Sequence, residues 1–206
     1  MARAAAAKVE ATRTSILDAA RSVLRERGYA SLSTREIAAV AGVPLSQIHY
    51  HFGSKEGMVL ALFEYMNAQL LDRQKAMFAD PSLTLSEQWE RACDYLDDDL
   101  ATGYVRVLQE LLAAGWTNPE IGRVVRDGVM GWIELLTDLA RRAQDNCGSL
   151  GPFTPEDIAA LVGAAFIGME AYLLLGLEEQ GLPLRRSLRR FGDVIRVLEE
   201  RGNQGR

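Results

Sequence analysis

Histidine is almost absent from this chain: two of 206 residues, His49 and His51, and both fall in one short stretch. Two positions apart on a helix, they diverge by about 200° and cannot hold one metal ion together. Cysteine is equally scarce. Cys93 and Cys147 stand far apart with no metal-ligand spacing, which is the usage of a reducing compartment and predicts free thiols. Neither has a base or cation placed to activate it, so the parts of a catalytic centre are missing and no enzyme, metal or cofactor is expected. The carboxylate run Asp97-Asp98-Asp99 reads as a solvated helix face. No run alternates like a strand, and no internal repeat is present. Residues 158–177 are long and apolar enough to suggest a membrane span, but Ala and Gly dilute them and Glu170 interrupts them, so they read as a core helix. No basic segment followed by an apolar stretch and a cleavage site opens the chain, and the cytoplasm is the expected location.

What is present is helical periodicity and an uneven distribution of charge. Residues 1–55 hold eight Lys or Arg against four Asp or Glu, a balance of +4; residues 56–206 hold fifteen against twenty-four, a balance of −9. A basic head on an acidic body confines nucleic acid to one end, and it suggests two domains, 1–55 and 56–206. Residues 1–9 form a short arm with Arg3 and Lys8 that either frays or extends the first helix. That helix is predicted over 12–27, where Ile16, Ala20, Val23 and Leu24 trace one stripe before Gly28, with Tyr29 placed for an apolar cap contact. Further helical patterns follow over about 54–77, 85–100, 104–114, 119–146, 155–177 and 184–201. The fold class is all-α.

The stretch 33–52 organises the rest. Ser33 is placed to cap a helix, Glu36 to complete a capping box, and Leu32 and Ile37 to form a hydrophobic staple. Gly42 permits the left-handed conformation that ends this helix, and Pro44 suits the first turn of the next. Ile48 and Phe52 lie on one face of the second helix. With Ile48 pointing inward, Ser46 and Tyr50 point most nearly outward, flanked by Gln47 and His49, with Leu45 at the border. That arc of donors, acceptors and aromatic edges suits base edges and phosphates. The pattern is a helix-turn-helix, a geometry that also occurs in proteins that never touch DNA. Its core is predicted from Ile16, Leu17, Ala20, Leu24, Leu32, Ile37, Ile48 and Phe52. Ser54 caps a fourth helix with Gly57 in its first turn, either a lapse or a soft point.

From Thr12 to Met58 the chain, with ILDAARSVLRERGYASLSTREIAAVAGV and then HFGSKEGM, resembles the N-terminal DNA-binding domain of the tetracycline-repressor (TetR) family of transcriptional regulators. The resemblance implies a three-helix helix-turn-helix domain joined by a fourth helix to a C-terminal helical ligand-binding and dimerisation domain. It implies base contacts by Arg35, beside Thr34, and by Leu45, Ser46 and Gln47, with Lys55 on a phosphate. Where the family has Tyr on a phosphate this chain has His49, and Tyr50 is displaced by one. Pro44 stands where Ser or Thr is usual.

The resemblance further implies a homodimer on a near-palindromic operator, and a small apolar or amphipathic effector in a pocket of the body. Candidate pocket residues are Phe63, Met66, Trp89, Tyr95 and Tyr104, with Trp116, Met130, Phe166, Met169 and Glu170 further along. The last two helices resemble the pair through which the family dimerises as a four-helix bundle, with Gly163, Ala164 and Gly168 on one and Leu188, Phe191 and Ile195 on the other. Repression is the family's habit. A rival reading is a small-molecule-binding helical protein that has lost DNA binding, against which the basic head and polar arc argue.

Overall fold

A computed structural model describes residues 2–27 and 32–204, and all regular structure among these residues is helical. In chain order the helices are α1 (Ala2–Arg27), α2 (Thr34–Ala41), α3 (Leu45–Phe52), α4 (Lys55–Phe78), α5 (Leu85–Thr102), α6 (Tyr104–Gly115), α7 (Pro119–Cys147), α8 (Pro155–Leu174) and α9 (Leu184–Gln204). The chain divides into two compact units. One comprises Met1–Ala68 with Asp99–Val124, the other Gln69–Asp98 with Val125–Arg206, so α4, α5 and α7 contribute to both.

The first helix starts ten residues before the predicted Thr12. Four consecutive alanines, the strongest helix formers, carry it through what reads as an arm in the sequence. Gly28 and Tyr29, the predicted stop, lie outside the described residues. Ser33 caps α2 as expected, its Oγ accepting from the Glu36 N–H at 3.2 Å. The reciprocal half of the capping box is not made, because the Glu36 carboxylate turns to the Arg27 guanidinium at 2.8 Å. At Gly42, φ is +66°, and the Gly42 and Val43 N–H groups donate to the Ala39 and Ala38 carbonyls, closing α2 in a Schellman-type cap. Pro44 sits at the N-cap of α3 and not in its first turn, and it offers no side-chain cap.

The predicted core of this head is buried from Ile16 to Ile48. Phe52 differs: it is half-buried and lies under the Arg13 guanidinium, 5.7 Å from the ring centroid. Ser54 caps α4 by accepting from the Gly57 N–H at 3.0 Å. Gly57 is no lapse, since a Cβ there would overlap the Phe52 carbonyl oxygen. Deeper in this unit the Phe63 ring stacks on Tyr104, with 6.0 Å between centroids, and the Tyr104 hydroxyl donates to buried Asn67 at 2.7 Å. The Asn118 amide donates to Glu56 in the first turn of α4 at 3.1 Å.

In the second unit Met77, Phe78, Leu136 and Ala159 form a core. Phe166 meets both Trp89 and Trp132 edge-on, at 5.6 and 5.7 Å. Several bonds fasten α9 to α5: Trp89 Nε1 donates to the Leu188 carbonyl, Arg189 pairs with Asp94 and Glu90, and Glu199 accepts from the Leu85 and Ser86 N–H groups. Asp97, in the carboxylate run, pairs with Arg185 and Arg189. Thr154 and Asp157 form a complete capping box at the start of α8. This helix is long and apolar enough to cross a membrane by length and composition. Its interior carboxylate, Glu170, is buried on the seam with Ala159, Gly163 and Phe166.

Candidate nucleic-acid interface

The recognition helix α3 is only eight residues long, and buried Ile48 anchors it from beneath. Its outward arc is as the helical step predicts. Ser46, His49 and Tyr50 are exposed, Tyr50 to 72%, while Leu45 and Gln47 are half-buried. Arg35 and Lys55 are exposed at the starts of α2 and α4, and Thr34, the first residue of α2, is half-buried. His49 makes a local hydrogen bond: its Nδ1 lies 3.2 Å from the Gly53 carbonyl. A carbonyl only accepts, so Nδ1 carries the proton and Nε2 is the nitrogen left to face outward chemistry. His51 instead meets Tyr50 edge-on at 5.1 Å and Phe52 at 5.9 Å.

Beside this arc runs a feature that the residue pattern alone does not disclose. The amino-terminal part of α1 faces α3 across an open cleft of about 260 Å³ lined by Lys8, Val9 and Thr12 on one side and Gln47, Tyr50 and His51 on the other. The signal for it is the alanine run, which makes residues 2–11 a helical continuation of the segment that bears Thr12.

The other candidate residues separate by unit. Phe63, Met66 and Tyr104 are buried in the first unit, and Trp116 stands 84% exposed at the end of α6. In the second, Trp89 and Phe166 pack as described, Glu170 is buried, Met169 is half-buried and Met130 is exposed. Tyr95 carries the Arg73 guanidinium over its ring at 4.1 Å. Of the residues expected at a dimer interface, Gly163 and Leu188 are buried within this unit, Ile195 is half-buried, and Ala164, Gly168 and Phe191 are exposed. Burial pushes the Cys93 thiol up to about 12, so it is protonated and unreactive at neutral pH. The Cys147 side chain lies outside the described residues.

Comparison with known proteins bears on the whole chain. Residues 16–62 match the family described as bacterial regulatory proteins, tetR family. The HTH-type transcriptional regulator UidR of Escherichia coli strain K12 is 24% identical over 197 residues, covering 93% of this chain and 92% of UidR. The transcriptional regulator AcuR of Cereibacter sphaeroides is 31% identical over 177 residues, 82% of this chain and 78% of AcuR. Among solved structures, a transcriptional regulator from Saccharomonospora viridis in complex with choline superposes with a TM-score of 0.73 at 22% identity, covering 88% of this chain and 95% of that one. The helix-turn-helix with its caps, the polar arc of α3 and the match to AcuR along most of both chains agree: this chain belongs to the TetR family of transcriptional regulators.

Proposed function

We propose that the protein is a repressor that binds a near-palindromic operator as a homodimer in the cytoplasm and releases it when a small apolar or amphipathic effector enters the helical body. The observation that carries the DNA half of this reading is the exposed arc of Ser46, His49 and Tyr50, with Gln47 half-buried beside it, on a helix fixed from beneath by Ile48, together with exposed Arg35 and Lys55. Phosphate contacts by cations set affinity and register, and base edges in the major groove set sequence preference. Two recognition helices in a dimer would lie about 34–36 Å apart, one turn of duplex.

Dimerisation is supported by apolar side chains exposed along two helices, Leu161 and Tyr172 on α8 and Phe191, Val194 and Val197 on α9. Exposed large apolar side chains that recur along a helix mark association where they form a patch. The effector reading is supported by the aromatic clusters around Phe63 and Phe166, and by the choline held in the Saccharomonospora viridis regulator. An effector can displace DNA only through its differential affinity for the two conformations, and the coupling is reciprocal, so operator DNA weakens effector binding by the same factor. The fourth helix is the proposed lever, because it leads directly from Lys55 to Phe63 and Met66.

The test is selection of bound fragments from genomic DNA, followed by titration of the selected site against salt. The expected result is a site with two-fold symmetry, bound by a dimer, whose log affinity falls with log salt by about 0.9 for each phosphate contacted. Salt-insensitive association, or tight binding by a monomer, would overturn the reading.

A further inference from the structure

We infer that the amino-terminal turns of α1 are a second DNA-contacting element, in which Lys8 holds a backbone phosphate of the strand that passes over Tyr50 and Gln47. The inference rests on the DNA reading above and adds to it a helix that the helix-turn-helix itself does not include. Three observations carry it. Lys8 and Thr12, four residues apart on one face of α1, form one wall of the cleft whose other wall is Gln47, Tyr50 and His51. Exposed Tyr50 and half-buried Gln47 of the recognition arc therefore share a surface with a cation from another helix. The wall is also held in place: the Thr12 hydroxyl donates to the Lys8 carbonyl at 3.0 Å, and one residue on, Arg13 lies over the Phe52 ring at the end of α3. A cation mounted on a continuous helix is positioned by the fold, unlike one on a loose arm.

Charge decides the occupant. Residues 1–15 carry Arg3, Lys8 and Arg13 against one carboxylate, Glu10, which lies 3.8 Å from Arg13. Lys8 is exposed. A surface of net positive charge with a Tyr hydroxyl and a Gln amide at its edge is complementary to the sugar-phosphate backbone, whose oxygens accept from all three groups. A lysine there acts as a point charge, so its effect is uniform across sequences.

The experiment titrates the selected operator and an unrelated duplex against salt for the full-length protein and for Lys8→Ala, Lys55→Ala and Arg25→Ala. Alanine keeps α1 helical, which circular dichroism checks. Arg25, exposed near the far end of α1 and away from the cleft, removes the same charge without the placement. Lys8→Ala should weaken binding to both duplexes by a similar factor and flatten the log–log salt slope by about 0.9 for each phosphate no longer neutralised, as Lys55→Ala does, while Arg25→Ala leaves the slope unchanged. A wild-type slope in Lys8→Ala beside a reduced one in Lys55→Ala overturns this inference alone. So does an equal loss in Arg25→Ala, which would mean that net charge and not position matters. Changed preference among sequences in Lys8→Ala with an unchanged slope would also overturn it, by making Lys8 a base reader. Absence of salt-dependent DNA binding in the wild-type protein would overturn the DNA reading as well.

Discussion

Two exposed faces of this chain are built on regular helices and carry opposite chemistry. On α3 the outward positions are Ser46, His49 and Tyr50, each with a polar atom to offer. On α8 the outward row runs Ala160, Ala164, Gly168 and Tyr172, and on α9 the large exposed residues are Phe191, Val194, Val197 and Leu198. The first face has few atoms that gain from leaving water and many that can exchange one hydrogen bond for another. The second has the reverse. A polyanionic duplex suits the first, and a second apolar surface suits the other. The two faces also differ in how they are held. A single buried residue, Ile48, anchors the short α3 from beneath, so its position depends on its ends; α8 is twenty residues long and buries Ala159, Gly163, Phe166 and Glu170 along one seam. Small changes at the ends of α3 should therefore be felt more than larger ones on the open face of α8.

The sharpest test of that difference is Gly57→Ala. The added Cβ meets the Phe52 carbonyl oxygen, which is backbone and cannot rotate away, so the junction between α3 and α4 must shift, and with it Lys55. Overpacking of this kind costs about 1–3 kcal/mol, which corresponds to roughly 5- to 150-fold if it is expressed wholly in operator affinity. The self-association measured by sedimentation should be unchanged. Undiminished operator binding would show that the junction tolerates a methyl group and that α3 is not held as tightly at its end as the close approach implies.

Gly168→Leu is the matching change on the other face. Nothing within the protomer lies within 4 Å of a Cβ at this position, so the fold has no reason to resist it and thermal unfolding of the isolated protomer should move little. A surface packed against it in a dimer would resist by about 1–3 kcal/mol. Weaker self-association with unchanged protomer stability is the expected result; an unchanged dimer moves the interface off this row. Gly163 offers the internal comparison, since a Cβ there meets the end of the Ile133 side chain inside the same unit.

How far each face is legible in the sequence follows from the same contrast. Caps at Ser33, Gly42, Ser54 and Thr154 are local signals, set by one side chain and the next turn of backbone, and all are made in the structure. A marked apolar position, Ile48, then fixes which side of α3 faces out. The partner of Glu36 is not legible, because Arg27 competes for it from another helix. Nor is the start of α1, where alanines without an amphipathic pattern read as an arm although their helix propensity is the highest available. On α8 the sequence groups Gly163 with Ala164 and Gly168, yet Gly163 and Gly168 are five residues, about 140°, apart, whereas Ala164 and Gly168 are about 40° apart. A helix apolar on every side has no polar stripe to orient it, and only packing against Ile133 and Trp132 shows which small residues turn inward. The aromatic candidates for an effector site have the same difficulty: residue type does not give direction, and Trp116 is exposed while Phe63 and Phe166 are buried.

The most local expected effects separate residues within the DNA-facing surface itself. Arg35, Gln47 and Lys55 are surface or half-buried side chains, and replacing each by Ala should leave the fold and the self-association intact. If Arg35 and Gln47 reach base edges, Arg35→Ala and Gln47→Ala should each reduce discrimination at particular operator positions by about 1–3 kcal/mol while binding to unrelated duplex changes little. Lys55 sits where the chain enters α4, beside the Ser54 cap, and offers a point charge with no directional acceptor. Lys55→Ala should therefore lower affinity for all duplexes alike and flatten the salt slope by about 0.9 for each phosphate it leaves unneutralised, because fewer counterions are released on binding. The measurement is a full operator scan with single base-pair changes, repeated at several salt concentrations, for each variant. A Lys55→Ala protein with altered preference and an unaltered slope would place Lys55 at a base. A Gln47→Ala protein that lost affinity uniformly would place Gln47 on the backbone, leaving sequence reading to Arg35, Leu45 and Ser46.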